Sequence, residues 1–194
     1  MQSMKAKPSV SVNAGFFLYC ALLMLLLPLR WVLAAMLAAL IHECCHILAI
    51  KLCRVELQQV TLGAFGAKLH TGPMSYRQEL LCALSGPIGG FAMLLFRKWL
   101  PMTAFCCMIQ SLFNLLPLYP ADGGRALLCF LLLHMPHDLA VKYSAGFDGI
   151  LRVGIILLCL YAVCIFKLNI GVFLVALVFC FVKFPCKAGK YKVQ

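Results

Sequence analysis

Residues 38–52 read AALIHECCHILAIKL, and they place His42, Glu43 and His46 inside a run otherwise built of Ala, Leu, Ile and Cys. A segment of bilayer length excludes ionisable side chains unless something compensates their desolvation. At 3.6 residues per turn, His42 and His46 project about 40° apart around a helix and about 6 Å apart along it. Both imidazoles can therefore reach one ion, and Glu43, about 100° round from His42, can address a ligand of that ion. Cys44 points to the opposite side and Cys45 flanks the histidine face; both are read as filler. The bland alternative, two hydrogen-bonded core histidines with Glu43 in a polar network, leaves a carboxylate in lipid with little compensation.

The rest of the chain agrees with a membrane setting. Its 194 residues are 64% hydrophobic and 12% charged, with a mean hydropathy of +0.98. A soluble chain so composed has too little polar surface to face water, so the expected class is an all-α integral membrane protein of several spans. The length suits one domain, or two small ones. The net charge of +11 could suit a nucleic-acid binder, but the cations sit at the ends of apolar runs and form no basic face, so no nucleic-acid partner is expected. The 12 cysteines lie mostly inside apolar runs and lack any Cys-x-x-Cys pair, so they are read as small packing residues.

Six apolar segments emerge, about 12–29, 31–53, 79–96, 103–135 (broken), 147–166 and 168–182. The first resembles a signal peptide in its flanking Lys5 and Lys7, but another apolar segment follows almost at once, so it is taken as a retained span. A cytoplasmic N-terminus puts Lys51, Arg54, Lys68, Arg77, Arg125, Lys142, Arg152 and the lysines after Val182 inside, and leaves only Arg30, Arg97, Lys98 and Lys167 outside. Both termini are thus expected in the cytoplasm, with His42–His46 near the cytoplasmic end of the second span. Residues 55–70, VELQQVTLGAFGAKLH, read as one or two short strands with a turn at the membrane surface. The expected organisation is a single unit over 1–194, with a catalytic core at about 12–135, accessory helices at about 147–182 and a basic tail at 183–194.

His-Glu-x-x-His on a helix is a zinc metalloprotease spacing, with the glutamate as general base. A catalytic zinc needs three protein ligands and an open position, so a third donor must come from elsewhere. Residues 114–125, NLLPLYPADGGR, offer Asp122 at a helix break made by Pro117, Pro120, Gly123 and Gly124. Irregular backbone at membrane depth survives only where protein or a wet cavity satisfies it. Asp122 is the expected third ligand, with helix N-capping as its compatible alternative role. Asn114 is a candidate for binding the substrate backbone or an oxyanion, or else stabilises the break. His70 is a weaker oxyanion candidate. Residues 85–90, SGPIGG, are read as close helix packing only.

His42-Glu43-x-x-His46, the Ser-Gly-Pro of the next span and Asn-x-x-Pro-x-x-Pro-x-Asp-Gly-Gly-Arg together resemble the site-2 protease family of intramembrane zinc metalloproteases, and within it the stage IV sporulation protein FB group. The resemblance covers about residues 12–135. It implies that His42, His46 and Asp122 bind one zinc ion, that Glu43 activates water, and that the substrate is a membrane-associated protein in a bacterial cell membrane. For that group the implied substrate is a sigma-factor precursor of sporulation; an anti-sigma factor or a signal-peptide remnant is the runner-up. The chain has Ala121 where members often carry Leu, and Gly90 where an Asn often ends the Gly-Pro motif. No PDZ insertion and no C-terminal CBS domain are expected, which leaves regulation to a membrane-protein partner. The oligomeric state is left open. A metal transporter is the alternative from another class, and would need acceptors spaced along several spans. A catalytically dead adaptor would not need all four polar residues.

Overall fold

The computed structural model describes residues 9–63 and 66–166; the expected segment 168–182, the tail 183–194, Lys5, Lys7 and Lys167 lie outside them. Strand β1 (Ser9–Val12) leads into helix α1 (Ala14–Leu26), and Pro28 turns the chain into α2 (Leu29–Leu52), which carries both histidines. Strands β2 (Leu57–Gly63) and β3 (Gly66–Thr71) follow, then helix α3 (Tyr76–Ala92) and a 3-10 turn at Met93–Phe96. Helices α4 (Pro101–Leu115), α5 (Asp122–His134) and α6 (His137–Phe166) complete the described chain.

Three stretches, Leu29–Leu52, Tyr76–Phe96 and His137–Tyr161, are long and apolar enough to cross a bilayer. The chain is a multi-pass membrane protein. Among the described residues, six full-length spans are not found. At 13 and 15 residues, α1 and α4 are apolar but short of the roughly 20 residues a span needs. The expected segment 103–135 is two helices, α4 and α5, separated by residues 116–121. The segment expected from 147 begins at His137, because its polar first turns fit a helix although they do not fit an apolar run.

Packing is that of a membrane bundle. The buried residues are mostly small, among them Ala38, Ala83, Ala104, Cys107 and Cys129, while Leu25, Leu33, Leu95 and Ile150 stand outward. Without a hydrophobic drive between helices in lipid, close approach of small residues is what holds them together. Cys82, Cys107 and Cys129 are buried and unbridged, as packing residues should be. Helix α6 seats Ala140 against Leu128 and Leu132 of α5.

The hairpin expected at 55–70 is present: β2 and β3 pair antiparallel, from Leu57↔Thr71 to Gly63↔Gly66. A third strand was not expected. Residues Ser9–Val12 pair parallel with β2, in the register Ser9↔Gln59 to Val12↔Leu62. Their Ser-Val-Ser-Val alternation is a strand pattern, but only four residues long, and Val12 reads equally as the start of the apolar run behind it.

Local signals fix how α2 meets α3. The end of α2 is a Schellman turn in which Val55 N–H donates to Ile50 O at 3.1 Å and Arg54 N–H to Lys51 O at 3.0 Å. Arg54 there has φ of 54°, in the left-handed region. Helix α3 starts with a capping box between Ser75 and Gln78. Gln78 Nε2 also donates to Cys53 O at 3.1 Å, tying the first turn of α3 to the last of α2. The two helices therefore leave the same corner and run side by side.

Candidate metal centre

Two helices bring three side chains to one point. His42 and His46 lie on the buried face of α2, and Asp122 opens α5 at the break after α4. The three side chains are almost wholly enclosed, with residue exposures of 4%, 6% and 8%. Asp122 Oδ2 lies 3.0 Å from His42 Nε2 and 3.1 Å from His46 Nε2, and the two Nε2 atoms are 3.1 Å apart. The imidazole rings stand nearly perpendicular, at 86°.

The chemistry of this triangle is decided by His46. Its Nδ1 lies 2.7 Å from the carbonyl of Cys82, an acceptor only, so Nδ1 carries a hydrogen and donates it. A neutral His46 consequently turns a lone pair on Nε2 toward a carboxylate oxygen. Asn114 Nδ2 lies 3.3 Å from His42 Nε2 on the same side of the cluster. With His42 Nε2 unprotonated as well, lone pairs of two imidazoles and one carboxylate face a common centre, which is repulsive unless a cation lies among them. Zinc ligands at about 2.0–2.1 Å in tetrahedral array are about 3.3–3.4 Å apart, within a few tenths of an ångström of these separations. The residues fit a zinc ion and leave its fourth position to a non-protein ligand.

Outer contacts orient the ligands, as they do in metal sites generally. Ser85 Oγ donates to Cys82 O at 2.7 Å and lies 3.3 Å from His46 Nδ1, so the 85–90 stretch does more than pack. Its Gly86 lies against the histidines: a Cβ there would sit 2.4 Å from His46 Nε2 and 2.7 Å from His42 Cε1. Arg125 Nη1 lies 3.4 Å from Asp122 Oδ1, the oxygen turned away from the histidines, and Arg125 also pairs closely with the buried Glu79 of α3. Among the described residues His42 has no such tether, and its Nδ1 is buried without a partner.

The start of α5 is pressed against the end of α4. A Cβ on Gly123 would lie 2.2 Å from Leu115 O, so only glycine allows Asp122 this place. The N-cap of α5 is Ala121, with no side-chain cap, and Asp122 is the first helical residue. The N-capping alternative for Asp122 therefore fails: its side chain is turned to the histidines. A carboxylate in a first turn still suits the positive end of the helix dipole.

Glu43 lies outside the triangle. Its Oε1 accepts from Ala67 N–H of β3 at 3.3 Å, and the carboxylate is half-buried between α2 and the hairpin. His70 is exposed on β3 and is not part of the cluster. Asn114 is brought to the centre, against His42. Four contributors escape a reading of the sequence. Cys82 acts through its carbonyl, which carries no motif signal, and Ser85, though part of the Ser-Gly-Pro motif, reads in the sequence as packing only and acts through a bond to that carbonyl. Glu79 and Arg125 are visible as charges but not as partners.

Among solved structures, the chain is similar to the site-2 protease from Methanocaldococcus jannaschii, with a TM-score of 0.66 and 19% identity over 100% of this chain and 94% of that one. The chain has the fold of a site-2 protease. No family model and no curated protein sequence matches it. The likeness therefore rests on architecture, and the His42–His46–Asp122 cluster is an independent observation within it.

Proposed function

We propose that the chain is a membrane-embedded zinc metalloendopeptidase, with His42, His46 and Asp122 as the metal ligands and Glu43 as general base. The observation that carries this reading is the convergence of three lone-pair donors on one buried point beside a glutamate. A zinc ion held there would supply Lewis acidity, polarising a scissile carbonyl and lowering the pKa of attacking water. Glu43, one residue from His42 and facing the hairpin, takes the proton from that water and returns it to the leaving amine. Asn114 lies where it can donate to a substrate carbonyl next to His42.

The substrate is a membrane-associated protein whose helix must unwind before its peptide bonds are accessible. Ala67 N–H is directed to Glu43, away from β2, so by antiparallel alternation Leu69 also turns its N–H and C=O to the open side of β3. An unwound segment added at that edge would run past Glu43. Cleavage near the cytoplasmic face follows if both termini are cytoplasmic. The finer assignment is activation of a membrane-bound sigma-factor precursor, with an anti-sigma factor or signal-peptide remnant as runner-up.

The direct test is co-expression of the wild type and Glu43→Gln with tagged candidate substrates, alongside metal analysis of the purified protein. Stoichiometric zinc and cleavage by the wild type alone support the reading. Material without zinc, or equal cleavage by both forms, overturns it. A transporter would call for a file of acceptors, whereas the other acids inside the described bundle, Glu79 and Asp148, are each paired with an arginine.

A further inference from the structure

The helix break that delivers Asp122 leaves backbone groups to be satisfied at a depth where water is scarce. Part of this is local: Leu118 N–H donates to Leu116 O at 2.7 Å, and Ala121 N–H to Leu118 O at 2.8 Å. Tyr119 is served differently. Its N–H donates to Asp148 Oδ1 at 2.9 Å, and its carbonyl accepts from Arg152 Nη2 at 2.7 Å. The same two side chains are joined to each other, Arg152 Nε donating to Asp148 Oδ2 at 2.7 Å and Nη2 to Oδ1 at 3.2 Å. They are largely withdrawn from the surface, at 16% exposure for Arg152 and 23% for Asp148.

Their position on the chain matters. Asp148 is not at a span boundary: it lies about 17 Å along α6, and α5 is about 20 Å long and runs the other way from a short connection. The pair therefore comes level with the start of α5, where Asp122 meets the histidines. An Asp and an Arg one turn apart inside an apolar helix are expensive unless matched to partners. Here the partners are each other and both polar groups of one residue, three positions before the metal ligand.

We propose that Asp148 and Arg152 are positioning residues for the metal centre, gripping the Tyr119 backbone from α6 and so holding the loop that points Asp122 at His42 and His46. This rests on the zinc reading of that cluster. It makes α6 part of the ligand-delivery machinery, not an accessory helix. The contacts are to backbone, so hydrogen-bonding shape is what counts, not charge. Asp148→Asn still accepts from Tyr119 N–H and leaves the Arg152 Nη2 bond to the Tyr119 carbonyl in place.

The test compares a single and a double variant of the full chain in detergent, using zinc alone as the probe against a competing chelator. Asp148→Asn keeps both backbone contacts and removes the carboxylate charge; Asp148→Leu with Arg152→Met removes both contacts and leaves no buried charge behind. Outer contacts of metal ligands carry about 10–100-fold in affinity. The Leu/Met variant should lose zinc affinity by that factor, while Asp148→Asn stays within about threefold of wild type. Melting of the metal-free proteins shows whether each is folded. If the Leu/Met form does not fold, Asp148→Asn with Arg152→Met drops one contact and should still lose about tenfold. Unchanged affinity in the contact-removing variants, or equal loss in Asp148→Asn, overturns the proposal. A wild type that binds no zinc instead sinks the metal reading, so the two failures are told apart.

Discussion

Gly86→Ala is the sharpest single perturbation of the proposed centre. The new methyl would start 2.4 Å from His46 Nε2, 2.6 Å from its Cε1 and 2.7 Å from His42 Cε1. Ordinary contact is about 3.5–4.0 Å, so α3 and the imidazoles must part by about 1 Å. Neither histidine can yield freely, because His46 is held by the Cys82 carbonyl and His42 packs against it. Metal sites tolerate about 0.2 Å in ligand distance, so a shift of that size breaks the ligand set. Overpacking should cost about 1–3 kcal/mol of stability. Zinc affinity should fall by at least about tenfold. Cleavage should fall by about 100-fold, the scale set by an ångström of misplacement. The measurements are chelator competition for zinc, reporter cleavage and melting of the metal-free form. Gly146→Ala on α6 is the matched control, since a Cβ there meets nothing within 4 Å, and it should leave zinc binding unchanged. If Gly86→Ala binds zinc as tightly as wild type, the close approach of α3 to the two histidines is not a feature of the working protein, and the placement of the centre is wrong.

The remaining predictions address the base, the strand edge and the corner of α2. Glu43→Gln should keep stoichiometric zinc and lose at least about 100-fold in cleavage, the lower end of general-base effects; full activity would remove Glu43 from the mechanism. Leu69→Pro deletes an N–H on the open side of β3, a place where an edge strand tolerates proline. One lost hydrogen bond should lower kcat/KM by roughly 2- to 12-fold with zinc affinity intact, and no change would argue against substrate pairing there. Arg54→Gly relieves a non-glycine residue at φ of 54° and should stabilise the protein by about 1 kcal/mol. A raised melting temperature in detergent checks this, and a fall would mean that the Arg54 side chain matters more than its backbone conformation.

What could be read in the sequence is what a helix repeat or a forced backbone imposes on residue identity. His42 and His46 stand out because four-residue spacing puts two ligands on one face, and Asp122 because prolines and glycines announce a break around it. The corner where α2 meets α3 was hidden for the opposite reason. His46 is oriented by the carbonyl of Cys82, and a carbonyl is the same in every residue. Glu79 and Arg125 belong to different helices, and only the crossing of α3 with α5 makes them partners. Asp148 and Arg152 form a visible pair four residues apart, yet their third partner is the backbone of Tyr119. Strand β1 was too short to compete with the apolar run that follows it. The start of α6 was obscured because membrane hydropathy and helix formation are separate properties, and residues 137–146 have the second without the first.

These hidden contacts share one physical origin. A proposed metal ligand on a continuous membrane helix needs no help with its backbone, which its own helix satisfies; that is the situation of His42 and His46. A third ligand facing them from another helix can be presented at a helix start, where the chain turns inward and the carboxylate meets the positive end of the dipole. That choice exposes the polar groups of residues 116–121 at membrane depth. The fold answers with three devices: glycine at 123, which lets α5 begin against the backbone of α4; internal turns through Leu118; and the clamp on Tyr119 from α6. The charged pairs around this break can then be understood from the placement of one aspartate. Asp122 requires the break, the break requires Asp148 and Arg152, and the second carboxylate oxygen of Asp122 requires Arg125, whose charge Glu79 balances.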